Sequence, residues 1–129
     1  MVDDLYGYDV ANPPPAEAWL ALDEGERIAA VEEAHRRTRS PVGQNATAHA
    51  AMHVVVENRL AERHVAVVEA YDRLRAAGLP RHTVVHALAS VATRHVMSVL
   101  ERNAPLDQAT ADLDYAALDP AAFMPKPKR

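Results

Sequence analysis

The chain reads as an all-α protein, a four-helix bundle with short additions at both ends, and three observations point there. Ala, Leu, Glu and Arg, all strong helix formers, abound. Aromatic residues make up only 5% of the 129 positions and there are only 4 glycines, which works against sheets. Apolar residues recur at three- and four-residue intervals between breaks marked by proline or glycine. A hydrophobic content of 49% supports a folded globule, and the length fits one domain.

Residues 1–15 form an N-terminal arm ending in Pro13-Pro14-Pro15, a stiff polyproline entry from which Pro15 starts a short helix through Trp19 and Leu20. Trp19 is expected to pack against the bundle. Asp23 with Glu26 three residues later has the form of a capping box and should start a helix to about Arg37, with Ile28, Val31, Glu32 and His35 on its inner stripe. Ser40-Pro41-Val42-Gly43 breaks it. Asn45 or Thr47 then caps a second helix to about Glu62, with Met52, Val56 and Leu60 turned inward around His49 and His53.

A third helix spans about His64 to Ala77 on the pattern Val65, Val68, Tyr71 or Asp72, and Leu74, closed by Gly78 as a left-handed cap. No Gly or Pro lies between Arg59 and Arg63, so helices two and three are either separate or one long bent rod. The fourth begins near Arg81, after Pro80, and continues to about Arg102 with Val85, Leu88, Ala92, Val96 and Val99 buried. The bundle domain is thus 16–102. In 103–129, Leu106 to Ala117 forms a short helix and Asp119-Pro120 through Arg129 an extended tail.

Composition excludes several functions. A formal charge of −4 works against a nucleic-acid partner, and the basic run Lys126-Pro127-Lys128-Arg129 reads as a solvated end. The absence of cysteine excludes disulfides, thiolate metal sites and cysteine nucleophiles, so any metal must be held by nitrogen and oxygen. No apolar run approaches the roughly 18 residues of a membrane span, and the acidic start Met1 to Tyr6 lacks a signal-like core; a cytoplasmic location without a membrane partner is the expectation. No Gly-rich phosphate loop, dinucleotide fingerprint or nucleophile elbow is present, and His53 to Glu57 lacks the order of zinc proteases.

Histidine carries the chemistry. Five of the 7 histidines fall into clusters at helical spacing: Glu32-x2-His35, His49-x3-His53-x3-Glu57 and His82-x3-His86. Side chains four apart on a helix sit nearly above one another. Each pair lies among apolar residues, so the rings are expected to be buried, and several buried rings converging with carboxylates are best satisfied by a metal. The expected ligands are His35, His49, His53, His82 and His86, with Glu32 and Glu57 bridging or acting as bases. The steps of about 6 Å along one face let a single ion take two neighbours but hardly three, which favours two ions, or one ion plus a base. His64 joins only if helix two continues unbroken; His95, off the His82–His86 face, reads as structural; Asn45 reads as a cap. Any of Tyr6, Tyr8, Tyr71 and Tyr115 could serve as a relay.

This ligand logic resembles hemerythrin-like and ferritin-like di-iron bundles, since hemerythrins also use His-x3-Glu on one helix and His-x3-His on another, here His53 to Glu57 and His82 to His86. The further His-x4-Asp pattern is missing, because Leu100 stands at that distance from His95 and Val91 from His86. Trp19-Leu20-x-Leu22-Asp23-Glu24, His49-x3-His53-Val-Val-Val-Glu57-Asn58 and Gly78-Leu79-x-Arg81-His82-x3-His86-Ala87 are similar to a group of short uncharacterised bacterial proteins with a domain of unknown function, over roughly residues 19–100. The resemblance implies a shared site without naming its reaction.

The sequence therefore predicts a metal-dependent oxidoreductase with two iron ions, using oxygen or peroxide on a small-molecule substrate. Zinc or manganese are alternatives to iron; a zinc site would suit hydrolysis, lyase chemistry or bracing. A non-catalytic helical interaction module with a histidine network is the remaining reading. A homodimer is compatible with all of them.

Overall fold

The computed structural model of the protein describes residues 8–9, 11–12, 14–38 and 45–124. Over these residues it is all-helical: α1 (Ala16–Ala21), α2 (Glu24–Thr38), α3 (Ala46–Ala61), α4 (Val65–Ala76), α5 (Arg81–Arg102), α6 (Gln108–Ala116) and a 3-10 turn at Pro120–Phe123. The four long helices expected from periodicity are α2 to α5. The chain divides into two compact units, Met1–His64 and Val65–Arg129, where periodicity predicts one domain over 16–102. Pro13, Arg39, the breaker Ser40 to Gly43 and the basic tail at 126–129 lie outside the described residues.

In the first unit α1 and α2 both pack on α3. The capping box closes both ways: Asp23 Oδ1 accepts from the Glu26 amide at 2.8 Å, and Glu26 Oε1 from the Asp23 amide at 3.0 Å. The α1–α2 corner is tied by Arg27, whose guanidinium donates to Leu20 O, Leu22 O and Asn58 Oδ1 and so satisfies carbonyls that the end of α1 leaves open. Asn58 Oδ1 also accepts from Trp19 Nε1 at 2.9 Å. Trp19 is buried as expected, beside Tyr8, Ala30, Val31, Ala34, Ala50 and Val54. Each fully buried valine contributes about 1.5–3 kcal/mol. On α3 the buried set is Ala50, His53, Val54, Val56 and Glu57, wider than one stripe, while Met52 and Leu60 are only half-buried. Helices α1 and α2 both pack on α3, which a single-stripe reading does not capture.

Helices α3 and α4 are separate. The Asn45 side chain caps α3 by accepting from the Ala48 amide. At the other end Arg63 takes φ 59°, its amide donates to Leu60 O at 3.1 Å, and the His64 amide donates to Arg59 O at 2.9 Å. These two bonds are a Schellman closure with arginine where glycine is usual. The same closure ends α4 with Gly78 at φ 96°, through Gly78 to Arg75 O and Leu79 to Leu74 O, as the sequence predicts.

In the second unit α4 packs on α5 and α6, and α5 on α6. The buried face of α4 is Val67, Ala70 and Leu74. The expected members Val65 and Asp72 are exposed, and Val68 and Tyr71 only half-buried. Counting 100° per residue back from Leu74 puts Val65 on the opposite side of the rod, and it is 68% exposed. Along α5 Val85, Leu88 and Ala92 are buried as expected, but Val96 is exposed and Val99 half-buried. Periodicity gives the direction of a side chain, not whether a neighbour covers it. By length and composition α5 is also the one helix among the described residues able to cross a membrane, a test that buried core helices pass too. The Asp107 side chain caps α6, and Arg73 gathers Tyr115 O, Ala116 O and Leu118 O at the far end. Beyond it, the expected extended tail is first a 3-10 turn, because Asp119 accepts from the Ala121 amide and Pro120 suits the first helical position.

The two left-handed closures predict opposite mutational signs. Arg63→Gly removes the Cβ strain of a non-glycine residue and should stabilise by up to about 1 kcal/mol, whereas Gly78→Ala should destabilise by about 1 kcal/mol. Urea unfolding measures both, and a destabilising Arg63→Gly would refute the strain. Hydrogen bonds from the Thr110 amide and then the Thr110 hydroxyl hold the Asp107 carboxyl below its ordinary pKa. A carboxyl depressed in the folded state stabilises above its unfolded pKa, and that contribution is lost as the pH falls through the carboxylate range. Thermal unfolding of Asp107→Ala should therefore fall below wild type at neutral pH and approach it in acid; a constant gap would contradict the cap.

Candidate metal centre

His35 lies one turn after Val31 on α2 and is buried, 3% exposed. Its Nδ1 sits 2.8 Å from Val31 O. A carbonyl only accepts, so Nδ1 carries the proton and the neutral ring keeps a lone pair on Nε2. A backbone carbonyl holding the far nitrogen is the arrangement that orients metal-binding imidazoles.

That Nε2 faces His49 Nε2 at 3.2 Å. Two nitrogens bound to one tetrahedral ion at about 2.0–2.1 Å stand about 3.3 Å apart, so the pair already has the spacing of neighbouring ligands. His53 completes a trio in the first unit, with ring centroids 4.6 Å from His35 and 4.9 Å from His49; His35 and His49 are 4.8 Å apart. His49, His53 and Glu57 climb one face of α3 from half-buried to buried: His53 and Glu57 are each 1% exposed. Burial, and then the neighbouring His35, lower the pKa of His49. Both effects favour the neutral ring, the form that binds metal.

In the second unit His82 and His86 stand one turn apart on α5 with ring centroids 4.4 Å apart. Burial was expected for all five rings; His35 and His53 are buried, His49 and His82 half-buried and His86 exposed. His86 lies at the margin of the Val85–Leu88 stripe, so its spacing from His82 places it on the same side without covering it. His35, His49 and His53 thus form a histidine group within the first unit, and His82 and His86 a pair within the second; imidazole nitrogens so grouped could hold a metal ion, whose identity the donors do not determine.

The carboxylates are placed differently. Glu32 is half-buried, with the Thr47 hydroxyl 3.5 Å from Oε2, at the limit of a hydrogen bond. Arg36, one turn further along α2, pairs instead with Glu33 at 2.7 Å. Glu57 accepts a hydrogen bond from the Tyr8 hydroxyl. Tyr8 is itself fixed, its carbonyl accepting from Arg37 Nη2 at 2.6 Å and its ring lying 5.3 Å from that of Trp19. The sequence names Tyr8 among four tyrosines but cannot choose it, because the contact joins residues 49 positions apart. The remaining histidines do other work. His95 Nε2 meets Asp114 Oδ2 at 2.6 Å within the second unit, and His64 follows the left-handed Arg63 in the turn after α3.

Comparison of the chain with protein-family models, curated proteins and solved structures finds no match.

A carboxyl as deeply buried as that of Glu57 is costly unless hydrogen-bonded. Tyr8→Phe should therefore lower the free energy of unfolding by about 1–3 kcal/mol in urea titration. An unchanged midpoint would show that the phenol contributes nothing to the fold.

Proposed function

We propose that the protein binds a divalent first-row transition ion through imidazole nitrogens, with His35, His49 and His53 of the first unit as ligands. The carrying observation is the histidine trio of the first unit, with His35 and His49 already at the spacing of neighbouring ligands, supported by the fixed tautomer of His35, which aims an unprotonated nitrogen away from its own helix. The motif His49 to Glu57, similar to that of short bacterial proteins, is read as the signature of this site. Nitrogen-only donors suit zinc, copper, iron and nickel, and suit manganese least.

A carboxylate-bridged di-iron centre would need Glu32 and Glu57 as bridges. Glu32 sits by Thr47 and Glu57 holds Tyr8, which favours one nitrogen-bound ion over a bridged pair. The Tyr8–Glu57 contact supports a second reading, in which a bound ion would supply oxygen or peroxide chemistry and Glu57, one turn beyond His53, would act as a base. Ferrous protein exposed to air reads this out: a changing optical spectrum that Tyr8→Phe alters supports it, and an unchanged one removes it.

Calorimetric titration of chelator-stripped full-length protein with zinc, copper, nickel and ferrous ions tests the main reading. Saturation at a single ion per chain and a raised melting temperature are expected. Removing one ligand should weaken binding by roughly tenfold or more. His49→Ala is the informative variant because that ring is only half-buried and its loss spares the core, while His95→Ala should bind as wild type. Absence of saturable binding, or equal affinities for the two variants, would overturn the proposal.

A further inference from the structure

The second unit holds a separate cleft of about 220 Å³, between the C-terminal half of α5, the connection after it and α6. Arg94, Ser98 and Arg102 line it at four-residue steps, so all three share one side of α5. The cleft also contains two acids, and both are engaged. Asp107 accepts from the Thr110 amide and hydroxyl at 3.1 and 2.9 Å, and Asp114 meets His95 at 2.6 Å. The two guanidiniums are not: among the described residues neither makes a hydrogen bond or an ion pair. On a chain of net charge −4, two uncommitted arginines facing one small cleft are the groups with binding capacity to spare.

A guanidinium presents a planar fork of N–H donors matched to phosphate or carboxylate oxygens, and two such forks suit a dianion. Val99, Pro105 and Leu106 add an apolar wall, with Leu106 itself 41% exposed. The volume lies below the roughly 300–1,000 Å³ of drug-sized pockets, which limits the ligand to a few carbon atoms. We propose that this cleft binds a small organic dianion, its oxyanion held by Arg94 and Arg102 and its carbon body against Val99 and Leu106. The site shares no residue with the histidine group and stands or falls independently of it.

Nuclear magnetic resonance titration of the full chain with inorganic phosphate, glycerol phosphate and succinate tests this, followed at the amides of residues 94–110. Saturable shifts are expected there, with glycerol phosphate tighter than inorganic phosphate because only the ester reaches the apolar wall. Tighter binding of succinate would identify a dicarboxylate as the source of the same oxyanion chemistry, while tighter binding of the ester identifies a phosphate. Arg94→Gln and Arg102→Gln, both at exposed positions, should each weaken binding by roughly tenfold without moving the melting temperature, whereas Arg36→Gln should have no effect. Absence of saturation with every probe, or affinities indifferent to both cleft substitutions, would overturn the proposal.

Discussion

The arrangement of the first unit depends on one hydrogen bond, from His35 Nδ1–H to Val31 O. Without it a buried imidazole could present either nitrogen to its surroundings. With it the ring is committed to one tautomer, and its lone pair is aimed at the neighbouring ring of His49. With His35 Nδ1–H committed to Val31 O, three neutral imidazoles hold three acceptor nitrogens and only two donors to offer one another, so they cannot satisfy one another completely. A cation is the partner that uses several lone pairs at once without supplying protons.

Helix α3 is where this constraint meets the fold. Packed against α1 and α2, it has His53 and Glu57 buried and Asn58 half-buried, and each requires a specific answer. Asn58 takes Trp19 and Arg27, and Glu57 takes Tyr8. These answers come from residues well before α3 in sequence, which ties the N-terminal segment to the helix through polar contacts as well as through the small-residue core of Ala30, Ala34 and Ala50. The unit thereby gains a specific register between helices, because shifting any one of them would strand a buried polar group.

Much of the local structure was legible because it is set by neighbours in sequence. The Asp23–Glu26 box, the Asn45 cap, Gly78 as a left-handed closure and the limits of α5 follow from residues within a few positions of one another. The break after α3 was not legible, since its left-handed residue is Arg63 and nothing in its side chain announces that conformation. Long-range matters were hidden for a different reason. Helical spacing puts His82 and His86 on one side of α5 but does not say that His86 is exposed, and it puts Glu32 beside His35 on the wheel but not that its carboxyl sits by Thr47. The choice of Tyr8 among the tyrosines depends on where a distant segment comes to rest, which periodicity leaves open.

X-ray absorption at the metal edge of zinc-loaded protein tests the central claim most directly. A first shell of nitrogen at about 2.0–2.1 Å, with the outer-shell scattering of several imidazole rings, is what the histidine group requires. A first shell made of oxygen without imidazole scattering, or loss of the zinc on dialysis before a spectrum can be recorded, would contradict it.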